Sequence, residues 1–440
     1  GNVTNTVTTT THHLQRCFSV TGPALIRGIR IENFTAPNNG YLASVTGIFK
    51  VKATDLGVLE AENCVISGLS RSANSSGYIY GAFCDGGIYR DCVISNFTDR
   101  ACGGYGGGLC NGNARFERCK IQQSNANYSL FSGSSVLVDC VFEGNRQYGN
   151  SPCICQNVGL VQNCSFFTNK AVCVRSTSTS DSVVTRVDGC TFVGNSISGF
   201  NGAGIYAQNR TAVLVTNSRF ESNNVSSPIA DGSVCGGVAG WKGAYSNCVF
   251  RGNWTSDQRG GGTVRYATLW NCTIEGNYAT SGSSCGLMNC TAINCLIKDN
   301  NQKNGQPVNY GNRLLNCTVV GSTTTAAAVR GGAATNTIVY GTSSGVDIDT
   351  GDYSHVLYGT ASAAGTLTDC AQLAEDPFSG DAKPETPYLP KRKSGAVEAG
   401  ILLAEVGAID YYGNNRLSGR ALDIGCAEYP LQSGTTILLR

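Results

Sequence analysis

The sequence predicts an all-β chain wound as a parallel β-helix, a solenoid of about 13 coils with a C-terminal closing module. Three observations predict it. A cysteine-centred motif recurs along the chain, the positions around the cysteine recur with it, and the composition suits short strands and tight turns.

The motif reads "NCTIEGN" at 271–277, with near-copies at Cys248–Asn253, Cys190–Asn195 and Cys140–Asn145. Aligned on its cysteine, the column runs Cys64, Cys92, Cys119, Cys140, Cys164, Cys190, Ser218, Cys248, Cys272, Cys295, Cys317 and Thr337. The steps are 20 to 30 residues long. Degenerate copies flank the column at "IRIENF" (29–34) and "SHVLYG" (354–359). Such a period is too short for a four-stranded propeller blade and lacks the amphipathic helices of helical repeats.

Neighbouring columns repeat as well. Two residues after the column stand Ile or Phe, with Val319 at its end, including five successive phenylalanines, Phe142, Phe166, Phe192, Phe220 and Phe250. Five residues after it stand Asn145, Asn169, Asn195, Asn223, Asn253, Asn277 and Asn300. One residue before it, Asn or Asp dominates. Positions i and i+2 of a strand share a face. Coils rise by one strand spacing, ~4.8 Å, so equivalent residues stack. The cysteines and phenylalanines are therefore expected inside as ladders. The asparagines are expected at a turn, adopting left-handed backbone and bonding to their copies. The stack would form a rod core roughly 60 Å long.

Composition agrees. Charged residues are 14% of 440, against ~25% in ordinary soluble domains. Glycine contributes 56 residues. Net charge is +2 with no basic run, so no nucleic-acid partner is expected. No 18-residue apolar run indicates a membrane span. The expected organisation is an N-terminal strand and cap at 1–24, the β-helix at 25–365, the closing module at 366–429 and a strand tail at 430–440.

The chain resembles bacterial secreted right-handed parallel β-helix proteins of the pectate-lyase-like superfamily. Surface proteins of that kind end in a module reading roughly DPxF, SPAVDAG, DxxGNxR, DIGAYEY. Here Asp376-Pro-Phe378, "SGAVEAG" (394–400), Asp410–Arg416 and "DIGCAEY" (423–429) follow it, departing at Gly395, Glu398 and Cys426. The resemblance implies the right-handed fold and an exported, extracellular or cell-surface bacterial protein. It leaves activity open, because this fold carries lyases, hydrolases, adhesins and inert stalks.

There are 22 cysteines. Column cysteines read as small buried apolar residues. Disulfides stay open for Cys84, Cys102, Cys110, Cys153, Cys155, Cys173, Cys235, Cys285 and Cys290. No pair has zinc-site spacing, and no metal or cofactor is expected.

No catalytic residue stands out. Asp85, Asp91, Glu143, Asp231, Glu275 and Asp299 are scattered. Glu143, Glu221 and Glu275 share a solvent-facing column with Val193, Arg251 and Lys298. The glycine clusters at 103–108, 259–262 and 330–332 read as tight turns rather than phosphate loops. Were the protein an enzyme, it would be a polysaccharide lyase or glycoside hydrolase. Tyr80, Tyr105, Tyr206, Trp254, Tyr266 and Trp270 are candidates for stacking on a polysaccharide.

The ends look like strands seeking partners. "NVTNTVTTTT" (2–11) and "GTTILLR" (434–440) are β-prone, and Val3, Val7, Thr9, Thr436, Ile437, Leu438 and Leu439 are the expected assembly residues. Pairing with a second copy would give a head-to-tail filament or surface layer, and pairing within one chain would give a monomer. The expected function is a non-enzymatic structural subunit whose partner is itself, with a polysaccharide-binding adhesin or polysaccharide-degrading enzyme as the alternative.

Overall fold

The computed structural model describes the chain from Arg16 to Pro430, apart from 21–22, 34, 37–46, 52–58, 69, 72–82, 85, 100–107, 127–128, 148–152, 179–183, 199–201, 210–211, 227–238, 257–261, 282–283, 363–364, 379–385 and 417–420. Val3, Val7, Thr9, Thr436, Ile437, Leu438 and Leu439 lie outside these residues. The chain forms two units, 1–244 and 245–440.

In both units each strand pairs in parallel with the equivalent strand one coil on. Ile94 sits opposite Ile121, Phe142 opposite Phe166, and Ile274 opposite Ile297. One coil shows the plan. After Cys140 come the strand Val141–Glu143, the two-residue strand Arg146–Gln147, then Cys153–Gln156 and Leu160–Gln162. Asn163 then turns the chain into Cys164.

The corners explain the polar columns. Asn63, Asp91, Asp139, Asn163, Asn217, Asn247, Asn271, Asn294 and Asn316, each just before the column residue, all have φ near +50°. Asn and Asp tolerate this left-handed conformation better than other side chains. The next corner lies four residues after the column, at Gly144, Thr168, Gly194, Ser222, Gly252, Gly276 and Asp299. The asparagine column thus follows the left-handed residue and does not form it. That corrects the expected turn role of Asn145 and its copies: the bend is made one residue earlier, and the asparagine side chain points inward, fully buried.

The coils reach further than the expected boundaries. Arg16–Val20 already pairs with Gly47–Val51. At the other end Thr366–Thr368 and Ala371–Gln372 pair with Asp352–Tyr358. Cys370, preceded by left-handed Asp369, is a further column member. Beyond Gln372 the described residues hold only short bridges and one 3-10 turn, Ala404–Val406. This segment lies along the flank of the second unit. Phe378, Ala396, Ile424 and Cys426 cover the outward-facing Leu296, Val320, Ile338 and Leu357, while Val406 and Leu422 cover Ile293 and Leu315.

Candidate functional site

Ladders of equivalent residues line the interior. In the first unit Phe142, Phe166, Phe192 and Phe220 stack with centroids 4.6, 4.9 and 4.6 Å apart and planes within 6°. Phe250 stands in the second unit, edge-on to Tyr245 at 5.5 Å. The sequence reading missed an inward column three residues before the cysteine. It includes Tyr89 and Phe116, stacked at 4.7 Å, then Leu137, Val161 and Val187.

The asparagines bond along the stack. Asn169 Oδ1 accepts the backbone N–H and the side-chain amide of Asn145, both at 3.0 Å, while Asn169 Nδ2 donates to Asn195 Oδ1 at 2.9 Å. The pattern continues to Asn223, and it runs through Asn253, Asn277 and Asn300 in the second unit. Each amide also donates to a carbonyl one coil back, as Asn169 does to Phe142 O.

The cysteines do more than fill space. Cys164 Sγ accepts the Cys140 backbone N–H at 3.4 Å and donates toward Leu137 O at 3.5 Å. Cys119, Cys140, Cys190, Cys272 and Cys317 likewise donate to carbonyls of the preceding coil. Cys64, Cys92, Cys248 and Cys295 are equally buried. Ser218 Oγ accepts the Cys190 N–H at 3.0 Å, and Thr337 Oγ1 that of Cys317. A small side chain with one donor and one acceptor is what the column shares, which revises its reading as purely apolar. Among the described residues 18 cysteines are free. Of the cysteines for which disulfides were left open, Cys110, Cys153, Cys155, Cys173, Cys285 and Cys290 are among them. Burial pushes the Cys153 thiol up to about 12 and Cys155 and Cys173 well upward, so these sulfurs stay protonated.

The outward carboxylates are engaged in ion pairs. Asp91 takes Arg118 at 2.8 Å, Glu143 takes Lys120 at 2.9 Å, and Glu275 takes both Arg251 and Lys298. The Arg118 guanidinium holds Asp91 below its usual range. Asp299 forms a left-handed corner, and Asp85 and Asp231 lie outside the described residues. Asp91 and Glu143 stand in separate cross-coil pairs, whereas Glu275 and Asp299 share Lys298, whose Nζ lies 3.0 Å from Glu275 and 3.9 Å from Asp299. Among the described residues no group of three or more His, Cys, Asp or Glu is placed to hold a metal ion.

Of the aromatic candidates, Trp254 stacks on Tyr278 at 5.8 Å, Tyr206 lies under Arg175, Tyr266 lies under Arg265, and Trp270 is exposed. Tyr80 and Tyr105 lie outside the described residues. A groove of about 420 Å³ runs past Met288, Gln306, Tyr310, Arg330, Gly331 and Thr350 in the second unit. Tyr310 was not a sequence candidate. It precedes Gly311 in a strand that carries no repeat motif at that point, so nothing in the sequence marked it.

The motif residues of the C-terminal segment converge on one buried network. Arg416 donates to Glu428 Oε1 at 2.8 Å and to Asn294 Oδ1 at 2.6 Å. Asp410 Oδ2 accepts the Glu428 N–H, and Asp423 accepts the N–H groups of Glu398 and Tyr429. Burial, with the Asp423 carboxyl beside it, pushes Glu428 up to about 8, against the pull of Arg416. These residues fasten the segment to the coils.

Among the described residues no strand pairs with the far side of Thr366–Thr368 or Ala371–Gln372. Leu367 lies opposite the buried Tyr353 and is 44% exposed.

Comparison with known proteins bears on the winding. A family model described as "Right handed beta helix region" matches residues 182–343. The fold is a right-handed parallel β-helix. No curated protein sequence matches the chain. Among solved structures, tailspike protein 3 of bacteriophage CBA120 is 13% identical over 82% of this chain, with a TM-score of 0.28. This chain spans 59% of that tailspike's length. The A-module of the mannuronan C-5 epimerase AlgE6 of Azotobacter vinelandii is 12% identical over 81% of this chain and 92% of its own, with a TM-score of 0.28. PfbA, a surface adhesin of Streptococcus pneumoniae, is 12% identical over 81% of this chain and 90% of its own, with a TM-score of 0.21. Among the described residues no helix is long and apolar enough to cross a membrane.

Proposed function

We propose that this chain is a non-enzymatic structural protein of the bacterial cell exterior, a β-helix subunit that assembles head-to-tail into a filament or surface layer. One observation carries the reading. The C-terminal segment lies on the flank of the coils, and the last described coil keeps an unpartnered strand edge with Leu367 exposed. Exposed β-edges recruit further strands, and a contact that does not close on itself propagates. The β-prone ends at 2–11 and 434–440 would strengthen such contacts. Negative-stain electron microscopy of the untagged protein tests this, beside a variant lacking 434–440. Filaments from the full chain, shortened or lost in the variant, are expected. Monomers at every concentration would sink the reading.

A second reading has its own observation. The groove past Tyr310 and Arg330 offers an exposed ring and a cation to a polysaccharide. A glycan array probed with the wild type and Tyr310→Ala decides it, since loss of a specific signal in the variant is what binding there requires.

A further inference from the structure

The two ends of the coil stack present the same cross-section. The first coil runs Ala24–Arg27, left-handed Gly28, Ile29, then Arg30–Glu32. The last runs Thr366–Thr368, left-handed Asp369, Cys370, then Ala371–Gln372. Register fixes the correspondence. Ile26 and Ile31 lie opposite Ala61 and Ile66, inward positions flanking the Cys64 column, so Ile29 holds the cysteine position of its coil. Leu367 lies opposite Tyr353, the inward position three residues before the column. Ile26 and Leu367 are therefore equivalents, as are Ile29 and Cys370.

Among the described residues the two end coils are alike in what is left uncovered. Among the described residues nothing pairs with the outer side of Ala24–Arg27 or Arg30–Glu32. Ile26 and Ile29 are only half-buried there, and Leu367 and Cys370 are incompletely buried at the other end. Charge distinguishes the ends. Residues 24–32 carry two arginines and one glutamate, whereas 366–372 carry one aspartate, Asp369, and no lysine or arginine. The side chains of Arg27 and Arg30 are 65% and 55% exposed, and that of Asp369 is 71% exposed.

Resting on the filament reading, we propose that the last coil of one copy docks on the first coil of the next, continuing the β-helix in register. The occupant of the open edge is then a second copy of this chain. Leu367 stacks on Ile26 and Cys370 on Ile29, which removes the exposed apolar ends from water. Asp369 falls opposite Gly28, where no side chain intervenes, and reaches Arg27 one position away. Between adjacent coils a side chain does reach across a one-position offset of this size, though along the mirror diagonal, where Asn217 Nδ2 donates to Asp188 Oδ1 at 2.9 Å. Strand pairing supplies the attraction, the ladders fix the register, and the opposite charges exclude end-to-end contacts of like ends.

Cross-linking tests the register. In-register residues of adjacent coils have Cα atoms about 4.8 Å apart, within the ~4.4–6.8 Å that a disulfide spans. Full-length Ile29→Cys, assembled and mildly oxidised, should give covalent multimers whose peptide map joins position 29 to Cys370. Leu367→Asp should raise the concentration needed for multimers in sedimentation velocity by about tenfold or more. Asp369→Arg and Arg27→Glu should each weaken assembly, and their combination should recover part of it. Glu62→Gln, which removes the intrachain partner of Arg27 but keeps the cation, should assemble normally. Circular dichroism of each variant checks folding. Filaments that form without the 29–370 link, and that ignore Leu367→Asp, overturn this docking while leaving the filament reading intact. A wild type that stays monomeric at all concentrations overturns both.

Discussion

A carboxamide buried in a dry interior has two N–H donors and an oxygen with two lone pairs to satisfy. The ladder satisfies them all. Asn195 Nδ2 donates to Phe166 O and to Asn223 Oδ1, and its oxygen accepts two bonds from Asn169. Asn195→Ala strips partners from both neighbouring coils, and each orphaned buried group costs about 1–3 kcal/mol. We expect a loss of roughly 2–5 kcal/mol in urea unfolding, concentrated by hydrogen exchange in the coils around Asn169 and Asn223. A loss near zero would mean that water takes over these bonds. The cysteine column makes an opposite test of polarity against bulk. Cys164→Val keeps the site apolar but leaves the Cys140 N–H without its sulfur acceptor, at about 1–3 kcal/mol. Cys164→Ser keeps an acceptor for that N–H and a donor of its own, as Ser218 does by accepting from Cys190 and donating to Thr216 O. Serine should therefore be the milder replacement; if valine is milder, the column acts only as apolar filling.

At the scale of elements, the C-terminal segment turns an exposed apolar flank into a buried one. Leu296, Val320, Ile338 and Leu357 point away from the coil interior, so the period-two pattern alone assigns them to solvent. Sequence recognised the segment by its motifs, yet no local pattern states which face it covers. That information sits in a long-range contact, Arg416 with Asn294, 122 residues apart. Arg416→Met leaves the buried Glu428 Oε1 and Asn294 Oδ1 without their donor and should release residues 386–430 to limited proteolysis while the coils stay protected. The pH response follows from Glu428, whose native carboxyl titrates at about 8 against an ordinary value of 4.5. The folded state then holds a proton that the unfolded state has lost between these values. The stabilisation is complete below about 4.5 and is lost as pH rises through 8. Urea midpoints should fall from pH 5 to pH 9, and Glu428→Gln should flatten that fall.

At the scale of the whole chain, each coil meets only its neighbours, so stability is close to a sum over coils and their interfaces. This is also why the fold was legible. Inward positions must match the positions above and below them, and so Cys, Phe and Asn recur visibly in the sequence. Columns that need only size, such as Tyr89, Phe116, Leu137 and Val161, pass unnoticed because different residues meet the same requirement. The two asparagine columns look alike in sequence, and only the backbone separates the one that bends the chain from the one that bonds along it. The repeat also makes a strong claim about deletion. Cys164 and Cys190 stand 26 residues apart. Removing residues 164–189 joins Asn163 to Cys190 with every column in step: Phe142 would meet Phe192 and Asn145 would meet Asn195. The shortened chain should fold with an unchanged β signal per residue in circular dichroism and unfold cooperatively at a modestly lower temperature. Removing only 164–176 cuts the coil midway, puts inward and outward positions out of phase, and should abolish the transition. If both deletions behave alike, the coils are not the interchangeable units that their ladders describe.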